Sequence, residues 1–343
     1  MREEVLVPIN FFEQLNQVAT QISEVSSINQ YFSIGSETAK VIFAGDPSLE
    51  NCLGSALSHL QLPPKKEDLT IYCWSNQAPF HINLPFLKED YQEQGLLKGF
   101  NNDRFYAAFQ HGAASFVFYD RQRSIGYYLI NTPEQIPYWE QSFPFKNIFH
   151  WRSEVSSLQL LHAASVAANA KAVLISGNSG SGKSSTTLSC ALAGMDILGD
   201  DYVLADSEKL RAYSLYGYAK INLDNRKRFP SINSFVAPVS KNQEKALVSL
   251  NTGLKGKLIS NSPLKAHLVP VITNSTVTTF ELIGKEHGMR NLTPSTMFQL
   301  PGLQKETFQK CSLLTKGLPT YKVHLGSDPL EVGQAIAAFV TTL

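Results

Sequence analysis

A glycine-rich stretch near the middle of the chain has the residue types and spacing of a phosphate-binding loop. The sequence GNSGSGKS, from Gly177 to Ser184, matches the pattern G-x-x-x-x-G-K-[ST] at every fixed position. Glycines allow successive backbone N–H groups to turn inward around an anion, and a helix beginning behind the loop adds its positive N-terminal end. We therefore predict that the following residues bind nucleotide phosphates: Gly177, Asn178, Ser179, Gly180, Ser181, Gly182, Lys183, Ser184 and Ser185.

The end of this loop predicts ATP and Mg²⁺ as cofactors. Lys183 can reach the β- and γ-phosphate oxygens, and the Ser184 hydroxyl can hold the metal ion. An apolar run of strand length, Ala172–Ile175, precedes the loop, and Ser184–Ala193 is predicted to form a helix. This order of strand, loop and helix is the context that the pattern requires, and it argues against a glycine-rich turn with an incidental lysine.

Two adjacent carboxylates, Asp200 and Asp201, follow an apolar strand that we predict at Met195–Leu198. Such a pair resembles a Walker-B element, in which a carboxylate holds the metal ion. Adjacent residues of an extended chain point to opposite faces, so we expect the two side chains to have different roles. One would hold Mg²⁺ and the other would accept the proton of an acceptor hydroxyl. The alternative is a polar strand end without a chemical role.

His162 is a further candidate, 15 residues before the glycine loop. Apolar residues recur at helical spacing over Ser153–Ser165, so we predict a helix with His162 near its end. An isolated imidazole is more often structural than catalytic, and a chemical role for His162 depends on its link to the loop and the carboxylates.

Four more residues are candidates for binding the acceptor. Lys220 and the basic cluster at 226–228, which begins with Arg226, could meet an acidic or phosphorylated group, or they could form a solvated basic surface. Ser295 and Thr296 could contact the acceptor or a phosphate. The alternative for these two is a helix start, because a proline precedes them in the sequence TPST.

The composition excludes several classes of partner. The 343 residues include 30 basic and 29 acidic side chains, so no long-range field attracts nucleic acid or anionic lipid. The four cysteines lie far apart and form no paired spacing, which argues against a zinc site or a disulfide framework. The N-terminus lacks the pattern of a signal peptide, and no run approaches the roughly 20 apolar residues that cross a bilayer. We therefore expect a cytoplasmic protein with no membrane or nucleic-acid partner.

The order of elements predicts two domains and an α/β fold. Residues 1–148 are predicted to form a smaller, strand-rich α+β domain, with β-rich runs at Ala39–Ala44, Leu69–Trp74 and Arg104–Phe109. Its clearest element is a hairpin over residues 114–130, ASFVFYDRQRSIGYYLI, in which two apolar strands flank a polar turn. Acceptor recognition by pairing with a strand edge is a role open to this domain. Residues 149–343 are predicted to form the second domain, which carries the phosphate-binding loop.

The last third of the chain predicts further elements of the second domain. Apolar and β-branched runs indicate strands at Val269–Thr273, Thr278–Ile283 and Thr320–Leu325. A proline at the first helical position predicts a C-terminal helix from Pro329. Strands that alternate with helices in this way are typical of α/β proteins.

The combination of LLHAAS, GNSGSGKS and GDDYVLAD resembles the HPr kinase/phosphorylase family, whose kinase domain is of the phosphoenolpyruvate-carboxykinase-like P-loop type. Within that family the chain is most similar to the serine kinases of bacterial biosynthetic gene clusters, which have a similar lysine in an AKI segment, here Lys220, and a PST motif. This resemblance covers residues 150–343. It implies that His162 contributes to the phosphate site, that Asp200 is the base and that Asp201 holds the metal, although the two aspartates can be exchanged.

Two departures limit what the resemblance implies. Ser185 stands where HPr kinases have a glutamate, and their downstream signature rich in arginine and glycine is missing. HPr as the substrate, a hexameric assembly and a phosphorylase reaction are therefore not implied.

These features together predict an ATP- and Mg²⁺-dependent kinase that transfers the γ-phosphate to a serine hydroxyl of a peptide or protein, such as a biosynthetic precursor peptide. One alternative is a kinase that acts on the hydroxyl of a small metabolite. The other is a binding protein that senses ATP and catalyses nothing, although binding alone needs neither a base nor His162. The sequence leaves the acceptor and a homo-oligomeric state open.

Overall fold

The computed structural model describes residues 3–77, 79–237, 243–251, 254 and 256–343, with only the backbone described for residues 3–7. The chain forms two compact units. The first, unit 1, contains the chain up to Arg152 together with Leu300–Leu303, and the second, unit 2, contains Ser153–Gln299 and Gln304–Leu343. Both units combine helices with a β-sheet, so the fold is mixed α/β. In the described part of the chain, no helix has the length and apolar character needed to cross a membrane.

Unit 1 is built on a seven-stranded mixed sheet with the strand order β3-β1-β2-β4-β7-β6-β5. Strands β2, β4 and β7 are parallel to one another, and the other neighbouring strands pair antiparallel. The helices and strands described in this unit are α1 (Glu3–Val25), β1 (Ser27–Ile34), β2 (Glu37–Ala44), α2 (Ser48–Leu53), β3 (Gln61–Leu62), β4 (Leu69–Ser75), β5 (Phe105–Gln110), β6 (Ser115–Asp120), β7 (Ile125–Ile130), α3 (Tyr138–Ser142) and α4 (Lys146–Arg152).

The strands predicted in this half of the chain are confirmed, but the prediction omits helix α1. Apolar residues recur every three to four positions along α1, which places them on one buried face. These residues are Phe11, Phe12, Leu15, Ala19 and Ile22. The ring of Phe12 stacks on Phe105 with centroids 4.1 Å apart, and Phe11 meets Phe118 edge to face at 5.2 Å. This aromatic layer forms the core between α1 and the sheet.

Unit 2 contains a nine-stranded sheet and a separate two-stranded ribbon. Its described helices and strands are β8 (Leu158–Leu161), β9 (Ala164–Ala168), β10 (Lys171–Ile175), α5 (Lys183–Leu192), β11 (Asp196–Gly199), β12 (Val203–Asp206), β13 (Arg211–Tyr213), β14 (Tyr218–Asn222), α6 (Leu223–Arg226), β15 (Lys245–Ser249), β16 (Asn261–Ile272), β17 (Thr279–Ile283), α7 (Lys285–Gln299), α8 (Gln304–Gly317), β18 (Thr320–Leu325) and α9 (Pro329–Thr342).

Three parallel strands at the centre of the large sheet position the glycine loop. β16 pairs in parallel with β10 on one side and with β18 on the other. The carboxyl ends of parallel strands meet at one edge of a sheet, where ligands of open α/β folds bind. The segments after Ile175, Ile272 and Leu325 therefore lie at the same edge.

Helices cover both faces of this sheet. Helices α5 and α9 contribute Cys190, Val332 and Ile336 to one apolar cluster with the strands. On the other face, α7 and α8 contribute Leu292 and Leu314 to a second cluster. The strands are buried on both sides, which explains their continuous apolar runs.

Three predictions for this unit need correction. Residues 153–165 do not form a helix: they form a short 3₁₀ turn, β8 and the start of β9. All four residues of β8 are buried, so its apolar residues follow burial on both faces of a strand and not the period of a helix. His162 accordingly lies in the turn between β8 and β9. The sequence TPST does not start a helix, because Pro294 lies inside α7.

The other elements predicted here are confirmed with small shifts of their ends. The strand before Asp200 runs over Asp196–Gly199, one residue later than predicted. The strand predicted from Val269 is the end of β16, and the strand predicted from Thr278 is β17. The strand at Thr320–Leu325 and the helix from Pro329 have the predicted starts.

The contact between α5 and α9 predicts a sensitive position at Gly333. A Cβ atom added there would lie 2.1 Å from the Ser189 carbonyl oxygen, which is backbone and cannot move aside locally. We expect Gly333→Ala to lower the free energy of unfolding by about 1–3 kcal/mol, measured by urea denaturation. The neighbouring exposed position provides the control, since Gln334→Ala should change this free energy by less than about 0.5 kcal/mol. Equal effects of the two substitutions would contradict the close packing.

A buried histidine on β16 predicts a pH dependence of stability. His267 is fully buried, its Nε2 lies 2.6 Å from the Ser176 hydroxyl, and burial lowers its pKa to about 4. The unfolded chain, with a histidine pKa of about 6.5, binds the proton first as the pH falls. The stability from neutral His267 is therefore complete above about pH 6.5 and is lost towards pH 4. We expect His267→Gln to make the free energy of unfolding depend less steeply on pH between about 6.5 and 4, measured by urea unfolding with circular dichroism. An unchanged slope of this free energy against pH would contradict the role of His267.

Candidate functional site

The glycine loop connects the end of β10 to the start of α5, as predicted. Gly180 and Gly182 have φ angles of 81° and 100°, which residues other than glycine rarely adopt. A Cβ atom at Gly182 would also lie 2.9 Å from the Leu325 side chain. The loop therefore needs glycine at this position both for its backbone angle and for its approach to β18.

Lys183 begins α5, and its side chain turns back into the loop. The residue is 7% exposed, and its Nζ donates a hydrogen bond to the Gly177 carbonyl at 3.0 Å. A buried ammonium group surrounded by the turns of a glycine loop, at the N-terminal end of a helix, provides positive charge for an anion. The Ser184 side chain follows in the first turn of the same helix.

Asp200 lies behind the first turns of α5 and is fully buried. One carboxylate oxygen accepts a hydrogen bond from the Thr187 hydroxyl at 3.3 Å, and the other accepts one from the Lys220 backbone N–H at 3.1 Å. The nearby Ser184 hydroxyl also stabilises the ionised form of this carboxylate. Burial, and then repulsion by the neighbouring carboxylate, raise the pKa of Asp200.

Asp201 faces the opposite way. Its φ angle of 57° is in the left-handed region, so the chain turns sharply directly after Asp200. Its carboxylate forms an ion pair with the Lys220 ammonium group at 2.9 Å and lies 3.9 Å from the Nε2 of His162. Burial favours the protonated form of Asp201, but the charge of Lys220 outweighs it and lowers the pKa. This carboxylate therefore stays ionised.

His162 is held by the two residues of the PST motif. Its Nδ1 lies 2.5 Å from the Ser295 hydroxyl, and its backbone N–H donates to the Thr296 hydroxyl at 3.2 Å. Burial, followed by repulsion from Lys183, lowers the pKa of His162 to about 4, so the ring is neutral at physiological pH. Ser295 and Thr296 thus contact His162, whereas the sequence assigned them to the acceptor or to a helix start.

One cavity of about 620 Å³ brings the loop and these polar groups together. Ten of the residues selected from the sequence line it: His162, Asn178, Ser179, Gly180, Gly182, Lys183, Ser184, Ser185, Asp201 and Lys220. Six others do not line it: Gly177, Ser181, Asp200, Arg226, Ser295 and Thr296. Asp201, and not Asp200, is therefore the carboxylate that a molecule in this cavity would meet.

The basic cluster at 226–228 contributes a different residue from the one selected. Arg226 donates a hydrogen bond to the Asn233 side chain at 2.6 Å and does not reach the cavity wall. Arg228 lines the cavity and donates to the Ser327 carbonyl at 2.8 Å. Arg226 is the last residue of α6 and Arg228 lies just beyond it, and the sequence alone did not show which of them faces inward.

Two residues of the cavity, Tyr202 and Lys245, were not selected from the sequence. Lys245 lies at the start of β15 and is an isolated lysine in the sequence. Tyr202 directly follows the carboxylate pair, and its ring lies 5.5 Å from that of His162. Position after the carboxylates could have identified Tyr202, but only the pairing of β14 with β15 brings Lys245 to the cavity.

The cavity offers few metal ligands from the protein itself. In the described part of the chain, no group of three or more His, Cys, Asp or Glu side chains is arranged to hold a metal ion. Mg²⁺ commonly takes one or two protein oxygens and completes its coordination with phosphate and water. Ser184, which lines the cavity, matches this limited requirement, whereas zinc, with three or four protein ligands, does not fit.

Comparisons with known proteins assign no family to the chain. No family model matches it, and no curated protein matches it. Among solved structures, the chain is similar to the HPr(Ser) kinase/phosphatase from Coxiella burnetii, with 12% sequence identity and a TM-score of 0.27. The match covers 54% of this chain and 95% of that one. Similarity at this level shows neither a shared family nor a shared activity.

The ion pair between Lys220 and Asp201 predicts that the pKa of Asp201 depends on Lys220. We expect Lys220→Met to raise the pKa of Asp201, because burial then acts against the carboxylate without its nearest cation. The titration of the carboxyl carbon by NMR measures this change. Lys209→Met is the matched control, since Lys209 is exposed and pairs with Asp206 outside the cavity. An Asp201 titration that is identical in wild type and Lys220→Met would contradict the ion pair.

Proposed function

We propose that the protein is an ATP- and Mg²⁺-dependent kinase that transfers the γ-phosphate to a serine hydroxyl of a peptide or protein. Unit 2 would be an HPr-kinase-like P-loop kinase domain, corresponding to predicted residues 149–343. The strand-rich region 1–148 would contribute to acceptor recognition. One observation carries the proposal: Asp201, His162 and Lys220 line the same cavity as Lys183 and the glycine loop.

The glycine loop and Lys183 would bind the triphosphate. The loop amides and the ammonium group of Lys183 supply positive charge where negative charge accumulates on the transferred group. Phosphoryl transfer asks little covalent chemistry of a protein, so this positioning and charge neutralisation account for most of the catalysis. The apolar side chains of Leu325 and Ile272, next to Gly182, give the nucleoside an apolar wall at the end of the loop.

Ser184 would hold the metal ion, and Asp200 would act behind it without touching the ion. When bound, Mg²⁺ would neutralise negative charge on the phosphate groups. Ser184 lines the cavity, and the buried carboxylate of Asp200 lies close enough to its hydroxyl to orient it. Asp200 has both carboxylate oxygens engaged by Thr187 and the Lys220 backbone, so it is not free to move towards an acceptor.

Asp201 would be the base. In the transfer step, the bond between the γ-phosphorus and the bridging oxygen of ADP breaks, and a bond to the serine Oγ forms. The serine proton goes to the Asp201 carboxylate, which is ionised and faces the cavity. His162 is held at Nδ1 by Ser295, and its Nε2 faces the Asp201 carboxylate at 3.9 Å. This assignment exchanges the roles of Asp200 and Asp201 relative to those implied by the family resemblance.

The test is transfer of label from γ-³²P-ATP to a panel of serine-containing peptides and hydroxyl metabolites. We expect label on peptides, and a loss of about 10²–10⁴-fold in rate with Asp201→Asn while ATP binding is kept. Lys183→Ala should weaken both ATP binding and rate, whereas Asp200→Asn should raise the Mg²⁺ concentration needed for half-maximal rate.

Each alternative has its own outcome in this experiment. If label appears only on metabolites, the acceptor is a small metabolite and not a peptide. Tight ATP binding without transfer would indicate a nucleotide sensor. If Asp201→Asn transfers label at the wild-type rate, Asp201 is not the base. Unchanged ATP affinity in Lys183→Ala would contradict nucleotide binding by the loop.

A further inference from the structure

We propose that Lys245 and Lys220 bind an anionic group of the acceptor, so that the accepted serine lies next to a carboxylate or a phosphate. This inference rests on the proposed kinase function and specifies the substrate class of the same site. Lys245 would then be the residue that determines acceptor specificity.

The pairing of the ribbon strands places three polar side chains on one surface. Strands β14 and β15 pair antiparallel, with Asn222 opposite Lys245 and Lys220 opposite Leu247. Residues two apart in a strand share a face, and directly opposed residues share it too. Lys220, Asn222 and Lys245 therefore lie on the same face, and all three line the cavity.

Lys245 has a charge that the described residues do not neutralise. Lys220 is paired with Asp201 at 2.9 Å, but among the described residues Lys245 forms no ion pair. Lys245 is also one of the cations that lower the pKa of His162, and it lies on the same ribbon face as Lys220, which pairs with the proposed base. A half-buried cation at this place favours an anionic partner over water.

The charge balance of the cavity supports the same conclusion. Its described lining contains four cations, Lys183, Lys220, Arg228 and Lys245, and one carboxylate, Asp201. ATP with one Mg²⁺ carries a charge of about −2, which leaves about one positive charge without a counterpart. Lys183 lies in the glycine loop and Lys220 is paired with Asp201, so Arg228 and Lys245 carry the remaining charge, and Lys245 lies on the ribbon beside Lys220. An acceptor with an anionic neighbour would complete the balance, and a cationic one would be rejected.

The experiment uses blocked peptides that differ in one charge. Each peptide is acetylated, amidated and fluorescently labelled, and contains one serine and one glutamate. Across the set, the glutamate occupies each position from two residues before the serine to two residues after it. Matched peptides have glutamine or phosphoserine in place of the glutamate, which separates carboxylate from phosphate recognition. Binding to the full-length protein is measured by fluorescence anisotropy with Mg²⁺ and a non-hydrolysable ATP analogue, and KM and kcat are measured with ATP.

We expect at least one glutamate peptide to bind about tenfold more tightly than its glutamine counterpart, a difference of about 1.4 kcal/mol. Lys245→Met should abolish this preference by raising the KM of the glutamate peptide with little change in kcat. Lys245→Arg should restore the preference, and Lys245→Glu should shift it to a peptide with lysine at that position. Lys209→Met, which removes an exposed cation outside the cavity, should leave the preference unchanged.

Four results would overturn the inference: no preference for either anionic peptide over glutamine, a preference that survives Lys245→Met, a preference that Lys209→Met removes equally, or a loss of ATP-analogue affinity in Lys245→Met without peptide. The last would assign Lys245 to the nucleotide. Binding is measured without turnover, so charge-selective, Lys245-dependent binding without phosphoryl transfer would support the anion site and reject the kinase function.

Discussion

The candidate site depends on Lys220, which contacts both neighbouring carboxylates in different ways. Its backbone N–H binds Asp200 at 3.1 Å, and its ammonium group binds Asp201 at 2.9 Å. Two adjacent carboxylates buried together would repel each other strongly in a medium of low dielectric constant. The left-handed backbone of Asp201 and this double contact separate their environments, so one carboxylate faces α5 and the other faces the cavity.

This separation gives the two carboxylates different acidities and different partners. Asp200 receives neutral hydrogen bonds, and burial raises its pKa, whereas the charge of Lys220 lowers the pKa of Asp201 despite burial. His162 remains neutral beside them because it too is buried and close to Lys183. Charges of opposite sign are thus concentrated on the cavity side, where low dielectric constant strengthens each interaction. Such divergence of neighbouring titratable groups is typical of sites that carry out proton transfer.

Sequence patterns predicted the structure correctly where it depends on residues within one short segment. The strand, glycine loop and helix at residues 172–192 follow from local backbone requirements, and the structure has all three in order. Local patterns failed where burial changed their meaning. Residues 153–165 have helical spacing but form a 3₁₀ turn, β8 and the start of β9, because both faces of the sheet are covered by helices. Pro294 lies inside α7 for a similar reason, since packing against the sheet offsets the cost of one lost hydrogen bond.

The sequence by itself determined the glycine loop, the position of Lys183 in it and the presence of two nearby carboxylates, because these features depend on residues close together in the chain. Only the tertiary structure decided that Asp201 faces the cavity, that Ser295 and Thr296 hold His162, and that Lys245 joins the site. His162 and Ser295 are 133 positions apart. Contacts over such separations arise from strand order and helix packing, and no local pattern of residue types records them.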